Sequence, residues 1–171
     1  MSTPNDTSIA VRAARAGDRA AIRAIYNEGI ADRIATLDLE PKTEAEIVGW
    51  FAVRSDGHYA VVVATRDDDI VGWASLNPYS HRCAYANVAD LSIYVARAAR
   101  GTGVGTVLLN AVENLARRNG FHKIVLFALA FNAAGQRLYR KAGYREVGVF
   151  REQGVLEGRF VDVIAMEKLI G

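Results

Sequence analysis

Residues 95–109 read VARAARGTGVGTVLL, and this stretch sets three alternate glycines between a β-rich segment and a helix. Glycine has no Cβ atom, so the backbone N–H groups of such a loop can come close to a ligand. The helix that follows adds partial positive charge at its N-terminus, where phosphate groups bind readily. Thr102 and Thr106 add hydroxyl groups as further donors. The stretch therefore predicts a phosphate-binding loop between a strand and a helix.

The two familiar nucleotide motifs do not fit this loop. A dinucleotide fingerprint that starts at Gly101 needs glycine at position 106, where Thr106 stands. A P-loop needs a lysine, and residues 101–122 contain none. A pyrophosphate carried by another cofactor remains as the expected ligand. The alternative is a flexible connection that binds nothing.

Hydrophobic periodicity predicts the elements around the loop. Alternation predicts strands at 8–14, 86–95, 123–130, 144–150 and 159–170, and a hairpin over 59–76 that turns at the aspartates 67–69. Helical spacing predicts helices at 16–30, at 42–51, from 104 to a stop at 119–120, and at 132–143. We expect Asp18 and Thr43 to cap the first two helices. The pattern favours an α/β or α+β fold with a mixed sheet covered by helices.

Composition limits the classes of function. The 171 residues suit one domain over 1–171, and 51% are hydrophobic while 23% are charged. The net charge of +2 forms no basic face, so we expect no nucleic-acid partner. No apolar run approaches a membrane span and no signal peptide is evident, so we expect no membrane partner and a cytoplasmic protein. Cys83 stands alone and the histidines are scattered, so we expect no metal.

Two segments carry a resemblance to a known superfamily. Arg100, Gly103 and Gly105 resemble the acetyl-CoA pyrophosphate loop of the GCN5-related N-acetyltransferases. Residues 131–148, FNAAGQRLYRKAGYREVG, are similar to the second motif of that superfamily. Residues 25–41, 72–85 and 88–95 resemble one branch, the phosphinothricin N-acetyltransferases and their arsinothricin-resistance relatives. The resemblance implies the acyl-CoA N-acyltransferase fold, a mixed and mostly antiparallel sheet of about seven strands with about four flanking helices.

The strand before the loop offers a reaction surface. Acetyl transfer from a thioester to an amine needs a neutral amine, a stabilised oxyanion and a proton for the thiolate. Alternation puts Asp90, Ser92 and Tyr94 on one face of the strand. The resemblance implies that Asp90 is the general base, and we expect Ser92 to contact the substrate. The alternative is an aspartate that caps a turn at the end of the strand.

The second motif supplies the expected acid. Asn132 and Tyr139 are seven residues apart, two helical turns, and so face the same side. The resemblance implies that Tyr139 protonates the sulfur of CoA; the alternative is a tyrosine packed on the sheet. It also implies that acetyl-CoA is held by eight residues. These are Ile93, Val95, Arg100, Gly101, Gly103, Gly105, Thr106 and Asn132.

Arg82 and Tyr85 match an Arg-x-x-Tyr motif with which the branch holds an anionic amino-acid substrate. Two departures leave the substrate open. Val161 replaces a histidine that many phosphinothricin enzymes carry, and Ser80 replaces a lysine seen in some members. Phosphinothricin, arsinothricin, methionine sulfoximine, methionine sulfone and plain L-amino acids all remain candidates.

These observations predict an acetyl-CoA-dependent N-acetyltransferase in which an α-amino group attacks the thioester directly. Cys83 has only His81 as a nearby base, so an acetyl-cysteine intermediate has little support. The alternatives are a general L-amino acid N-acyltransferase, an enzyme that acylates protein N-termini or lysines, and a CoA-binding module without turnover. The resemblance also implies a homodimer whose active site borrows residues from the partner.

Overall fold

The computed structural model describes residues 8–54 and 56–171, which form a seven-stranded sheet and four α-helices. The strands are β1 (Ala10–Ala13), β2 (Val61–Arg66), β3 (Asp69–Pro78), β4 (Val88–Val95), β5 (Lys123–Leu129), β6 (Arg145–Leu156) and β7 (Arg159–Leu169). The helices are α1 (Arg19–Asp32), α2 (Glu44–Ala52), α3 (Val104–Arg118) and α4 (Ala133–Lys141). The sheet order is β1-β2-β3-β4-β5-β7-β6, and β4 with β5 is the parallel pair in an otherwise antiparallel sheet. The predicted mixed, mostly antiparallel architecture is confirmed.

Local chemistry explains where the elements begin. Thr43 caps α2 as predicted, because its hydroxyl accepts the Glu46 N–H at 3.2 Å and the Glu46 carboxylate accepts the Thr43 N–H at 2.7 Å. Asp18 does not cap α1, and that prediction is wrong. Its carboxylate accepts the Arg15 N–H at 2.7 Å and the Arg12 guanidinium at 2.7 Å, closing a 3-10 turn before the helix. The ion pair with Arg12 offers the carboxylate a stronger partner than the helix N-terminus does.

The two faces of the sheet carry separate cores. On one face, α3 buries Leu108, Leu109 and Val112 completely against sheet residues such as Leu126 and Met166. Each such side chain contributes roughly 2 kcal/mol by leaving water. On the other face the cluster holds Ile22 and Ile25 of α1 together with Val61, Val63 and Trp73 of the sheet. This second core joins α1 to β2 and β3.

The sheet opens at its parallel pair. β4 and β5 pair at three positions, ending with Asp90 opposite Val125. Beyond that point β4 continues to Val95, paired with β3 alone, and β5 continues to Leu129, paired with β7. The backbone of residues 91–95 therefore keeps an edge that faces β5 without bonding to it. This gap in the middle of the sheet forms the candidate site.

Candidate active site

A cavity of about 200 Å³ lies at the gap between β4 and β5. Its walls come from both strands, from the loop between α1 and α2, from α4 and from β7. The lining residues are Ala35, Thr36, Leu37, Asp90, Leu91, Ser92, Ile93, Tyr94, Phe127, Ala128, Leu129, Tyr139 and Val163. Asp90, Ser92, Ile93 and Tyr139 are the sequence-predicted site residues that the fold brings together here.

Asp90 is the carboxylate of this cavity. The side-chain amide of Asn77, on the neighbouring strand β3, donates to Asp90 Oδ2 at 3.4 Å and to Ser92 Oγ at 3.0 Å. Burial raises the pKa of Asp90 to about 6, while the hydrogen bonds from Asn77 and from the Leu91 N–H oppose that rise. A carboxylate with such a pKa is ionised at neutral pH and accepts a proton more readily than a surface aspartate does.

Tyr139 reaches the same cavity from α4. Burial raises the pKa of its phenol, and the nearby Tyr94 and Asp90 raise it further. The phenol therefore stays protonated at neutral pH. A base and a protonated acid thus line one cavity although 49 positions separate them in the chain, as the numbering of Asp90 and Tyr139 gives.

The two faces of β4 divide as predicted. Leu91, Ile93 and Val95 pack on the side of α3. Tyr94 lies on the opposite side, where its ring stacks on Trp73 at 4.9 Å between centroids and approaches Tyr26 at 4.7 Å. Of these rings Tyr94 lines the cavity, and its contacts with Trp73 and Tyr26 hold it in place.

The glycine loop has an open surface. Gly101 and Gly103 have positive φ angles of 74° and 89°, and a Cβ at either position would meet nothing within 4 Å. Gly103 immediately precedes α3 and carries no side chain to cap the first turn. The loop therefore offers uncapped N–H groups and open space to an anion, which fits a pyrophosphate. Gly105 has another role, since a Cβ there would approach Leu138 of α4 at 3.0 Å.

Two polar side chains of the loop, Arg100 and Thr102, are used within the fold. Arg100 contacts Asp32 at 2.5 Å and the Val95 carbonyl at 3.2 Å, so its charge ties the loop to α1. Thr102 donates to the Ala99 carbonyl at 2.7 Å and accepts from Arg66 at 2.9 Å. The Thr102 hydroxyl hydrogen is therefore bound to the Ala99 carbonyl, and the expectation that this hydroxyl donates to the ligand is wrong. Thr106 is exposed on the first turn of α3.

Asn132 is the residue that caps α4. Its Oδ1 accepts the Gly135 N–H at 3.0 Å, and a Cβ on Gly135 would lie 2.7 Å from Asn132 Nδ2. Asn132 therefore sits at the start of the helix that carries Tyr139, outside the cavity lining.

Arg82 and Tyr85 lie outside the cavity of their own chain. Both are exposed in the connection between β3 and β4, and the Tyr85 ring packs edge-on against Tyr79 at 5.8 Å. Neither residue contributes to the lining of the cavity that contains Asp90.

Asn77 and Arg54 are polar residues of the site that the sequence interpretation missed. Arg54 follows α2 and donates to Asn77 Oδ1 at 2.7 Å. Asn77 shares a face of β3 with Ser75, opposite to Ala74 and Leu76 of the α3 core, and this alternation was a signal that it faces away from that core. Its position opposite Asp90 depends on the β3–β4 register, which no local pattern gives.

The described residues hold no group of three His, Cys, Asp or Glu side chains arranged to bind a metal ion. Within the same ranges, 8–54 and 56–171, every helix falls short of the length and hydrophobicity that a membrane span requires.

Comparison with known proteins decides the family. The model of the acetyltransferase (GNAT) family matches residues 22–144. The chain belongs to the GNAT family. This GNAT protein is 31% identical to the phosphinothricin N-acetyltransferase of Streptomyces coelicolor, over 96% of this chain and 98% of that one. It is 30% identical to the L-methionine sulfoximine/L-methionine sulfone acetyltransferase of Pseudomonas paraeruginosa, over 94% of each.

A solved structure supports the same assignment. The phosphinothricin acetyltransferase of Sinorhizobium meliloti, in complex with acetyl-CoA, is similar with a TM-score of 0.91 and 28% identity, over 95% of this chain and 89% of that one. This GNAT protein is therefore an acetyl-CoA-dependent N-acetyltransferase, and the predicted fold, activity and cofactor are confirmed.

Proposed function

We propose that the protein acetylates the α-amino group of a small amino-acid-like substrate. The substrate is a glutamate analogue such as phosphinothricin, arsinothricin or methionine sulfoximine, and its amine attacks acetyl-CoA directly. The observation that carries this proposal is that Asp90 and Tyr139 line one cavity at the open edge of β4. The named activities of the Streptomyces and Pseudomonas relatives support the substrate class.

Acetyl-CoA supplies the acetyl group as a reactive thioester, and the chain holds it along the gap in the sheet. Gly101, Gly103 and the exposed Thr106 bind the pyrophosphate at the start of α3. The edge of β4 from Ile93 to Val95, which β5 leaves unpaired, binds the pantetheine arm and stabilises the oxyanion through backbone N–H groups. Three other residues of the predicted acetyl-CoA site have supporting roles. Arg100 anchors the loop to Asp32, Gly105 lets α3 approach α4, and Asn132 contacts the pantetheine.

Asp90 and Tyr139 handle the two protons of the reaction. Asp90 takes a proton from the substrate ammonium, and its pKa of about 6 makes the carboxylate a stronger base for this step than an ordinary aspartate. The neutral amine then forms the new C–N bond as the C–S bond breaks. Tyr139, which burial keeps protonated at neutral pH, gives its proton to the departing thiolate, and the second proton that the substrate nitrogen loses as the amide forms restores the phenol.

Direct attack requires no nucleophile on the protein. Cys83 is the single cysteine of the chain, and it is exposed and outside the cavity lining. An acetyl-cysteine intermediate would have to form away from Asp90 and Tyr139, so a direct transfer is the simpler route.

The proposal includes a homodimer. The half of the sheet formed by β5, β7 and β6 exposes apolar side chains on the cavity side, where Phe127 and Phe150 are 46% and 47% exposed with rings 6.3 Å apart. Such a patch is typical of an interface. Pairing of two copies gives the exposed Arg82 and Tyr85 a route to the cavity of the other protomer, where the arginine would bind the substrate's anionic side chain.

A second candidate substrate is an amino acid with a neutral side chain, such as methionine sulfone. Val161 stands where many phosphinothricin enzymes have histidine, and it packs against Leu129, Leu156 and Val163. Leu129 and Val163 line the cavity, so this part of the wall is apolar and favours an uncharged group.

A free-thiol assay with acetyl-CoA across a substrate panel tests the proposal. The panel holds phosphinothricin, arsinothricin, methionine sulfoximine, methionine sulfone and common L-amino acids. We expect release of CoA with at least one glutamate analogue, and Arg82→Ala should reduce kcat/KM more for acidic than for neutral substrates. Arg118→Ala, at an exposed site on α3, is the control. No thiol release with any panel member would overturn the proposed substrate class.

A further inference from the structure

We propose that Arg54 and Asn77 are positioning residues for the reaction: Arg54 fixes the orientation of Asn77, and Asn77 directs its amide hydrogens to Asp90 and Ser92. The inference rests on the proposed role of Asp90 as the base. It assigns a function to a half-buried arginine that lines no part of the cavity.

Arg54 is held from several sides. Its Nη1 donates to the Leu76 carbonyl at 2.6 Å and to the Tyr59 carbonyl at 3.3 Å, and its Nη2 donates to Asn77 Oδ1 at 2.7 Å. The guanidinium also lies over the Trp50 ring, 4.5 Å from its centroid. The planar guanidinium of Arg54 thus binds the end of β3 through one backbone acceptor, the Leu76 carbonyl, and one side-chain acceptor, Asn77 Oδ1.

The contacts of Asn77 leave one orientation for its amide. Arg54 and Ser75 both donate to Oδ1, the latter at 3.1 Å. Nδ2 therefore points the other way, to Asp90 and Ser92. A reversed amide would set its NH₂ group against the guanidinium and its carbonyl oxygen against the Asp90 carboxylate, which are two repulsive contacts. Arg54 therefore acts on Asp90 through Asn77.

The effect on Asp90 follows from its surroundings. Burial disfavours the carboxylate, and the donor on Asn77 favours it. Two other titratable groups near Asp90 are Tyr94 on β4 and Tyr139 on α4. Across the sheet, Asp90 pairs with Val125 of β5, and Val125 pairs with Glu167 of β7, which forms ion pairs with Lys123 and Arg145. Among these contacts, the amide of Asn77 is the side-chain donor within hydrogen-bond distance of Asp90.

The direct test is a ¹³C NMR titration of the Asp90 carboxyl carbon, identified by the signal that Asp90→Asn removes. Asn77→Leu keeps the size of the side chain and removes the donor, so the midpoint of Asp90 should rise by about one pH unit. Arg54→Lys keeps the charge and loses the planar guanidinium, and it should raise the midpoint by less. Asn114→Leu, at an exposed site on α3, should leave the midpoint unchanged.

Asn77→Asp is a second variant for the case that Asn77→Leu does not fold, because it keeps the shape of the side chain and its contact with Arg54. It places a second carboxylate beside Asp90, so the acid limb of kcat/KM should move to higher pH while the KM for acetyl-CoA stays within about twofold. Thermal unfolding establishes that each variant is folded. An unmoved Asp90 midpoint in folded Asn77→Leu, or an unmoved acid limb in Asn77→Asp, overturns the inference. Full turnover by Asp90→Asn would instead overturn the proposed function.

Discussion

Asp90 stands opposite Val125 at the last position where β4 pairs with β5. The carboxylate is therefore fixed by the sheet at the point where the two strands separate. At the preceding position a side chain points to the opposite face, where Ala89 is fully buried in the α3 core, and beyond Asp90 it would have no paired neighbour on β5. This placement explains how Asp90 is held in the paired part of the sheet and still lines the cavity.

Asp90→Asn should make the protein more stable at neutral pH. The folded pKa of about 6 lies above the ordinary value of 3.8, so the folded state binds the proton more tightly. The free energy of unfolding therefore falls as pH rises from about 4 to 6, by an amount on the order of 3 kcal/mol before solvent screening. Urea unfolding should give a higher free energy of unfolding for the variant than for the wild type at about pH 7, and a much smaller difference between the two at about pH 4.

Asp162→Asn is a control in which the change in stability at neutral pH should have the opposite sign. The Glu152 N–H and the Arg151 guanidinium lower the pKa of Asp162, so its ionised form stabilises the fold. This variant should be less stable than the wild type at neutral pH. Equal pH dependence of the wild type and Asp90→Asn would mean that burial does not perturb Asp90.

Tyr139→Phe should lower kcat by about 100-fold, because a general acid typically contributes this much. The KM for acetyl-CoA should change little, since the ring remains in place. Steady-state kinetics check both values. Tyr144→Phe is a matched control, because the Tyr144 ring is buried 5.9 Å from that of Tyr139 but does not line the cavity. Equal kcat values for the two variants would remove Tyr139 from the mechanism.

Gly103→Ala should weaken acetyl-CoA binding by about tenfold, because the positive φ of 89° is costly for alanine and the added methyl group stands in the open surface of the loop. Gly120→Ala introduces a similar strain at the other end of α3, where φ is 83°. Calorimetry should show a loss of affinity for the first variant alone. If both bind acetyl-CoA equally well, the loop does not hold the pyrophosphate.

Phe150→Lys should break the proposed homodimer, because it places a charge in the exposed apolar half of the sheet. Val53→Lys is the control, since Val53 is 78% exposed at the end of α2, outside that half. Light scattering after size exclusion should give a dimer for the wild type and the control, and a monomer for Phe150→Lys. A monomeric wild type at micromolar concentration would contradict the proposal.

Much of the fold could be predicted because its signals are local. The hydrophobic stripe of α3, the capping box at Thr43 and the hairpin turn at Asp67 and Asp68 each depend on residues close in the chain. Asp18 shows the limit of such signals. Its role as a cap fails because Arg12, six positions away, competes for the carboxylate.

The site was predictable where it depends on one element. Asp90 and Ser92 share a face of β4 because side chains alternate along any strand. The contact between Asn77 and Asp90 depends on the pairing of two strands joined by a nine-residue connection, 79–87. The hydrogen bond from Arg54 to Asn77 depends on how α2 packs against the sheet. Neither is encoded in a short pattern.

The pH dependence of kcat/KM for the wild type and Asp90→Asn, with the best acceptor from the substrate panel, tests the central claim most directly. The wild-type value should fall with unit slope below about pH 6, as the carboxylate takes up a proton. Asp90→Asn should be at least about 100-fold slower at neutral pH, without that acid limb and with acetyl-CoA affinity nearly intact. Wild-type turnover by Asp90→Asn at neutral pH would contradict the assignment of Asp90 as the base.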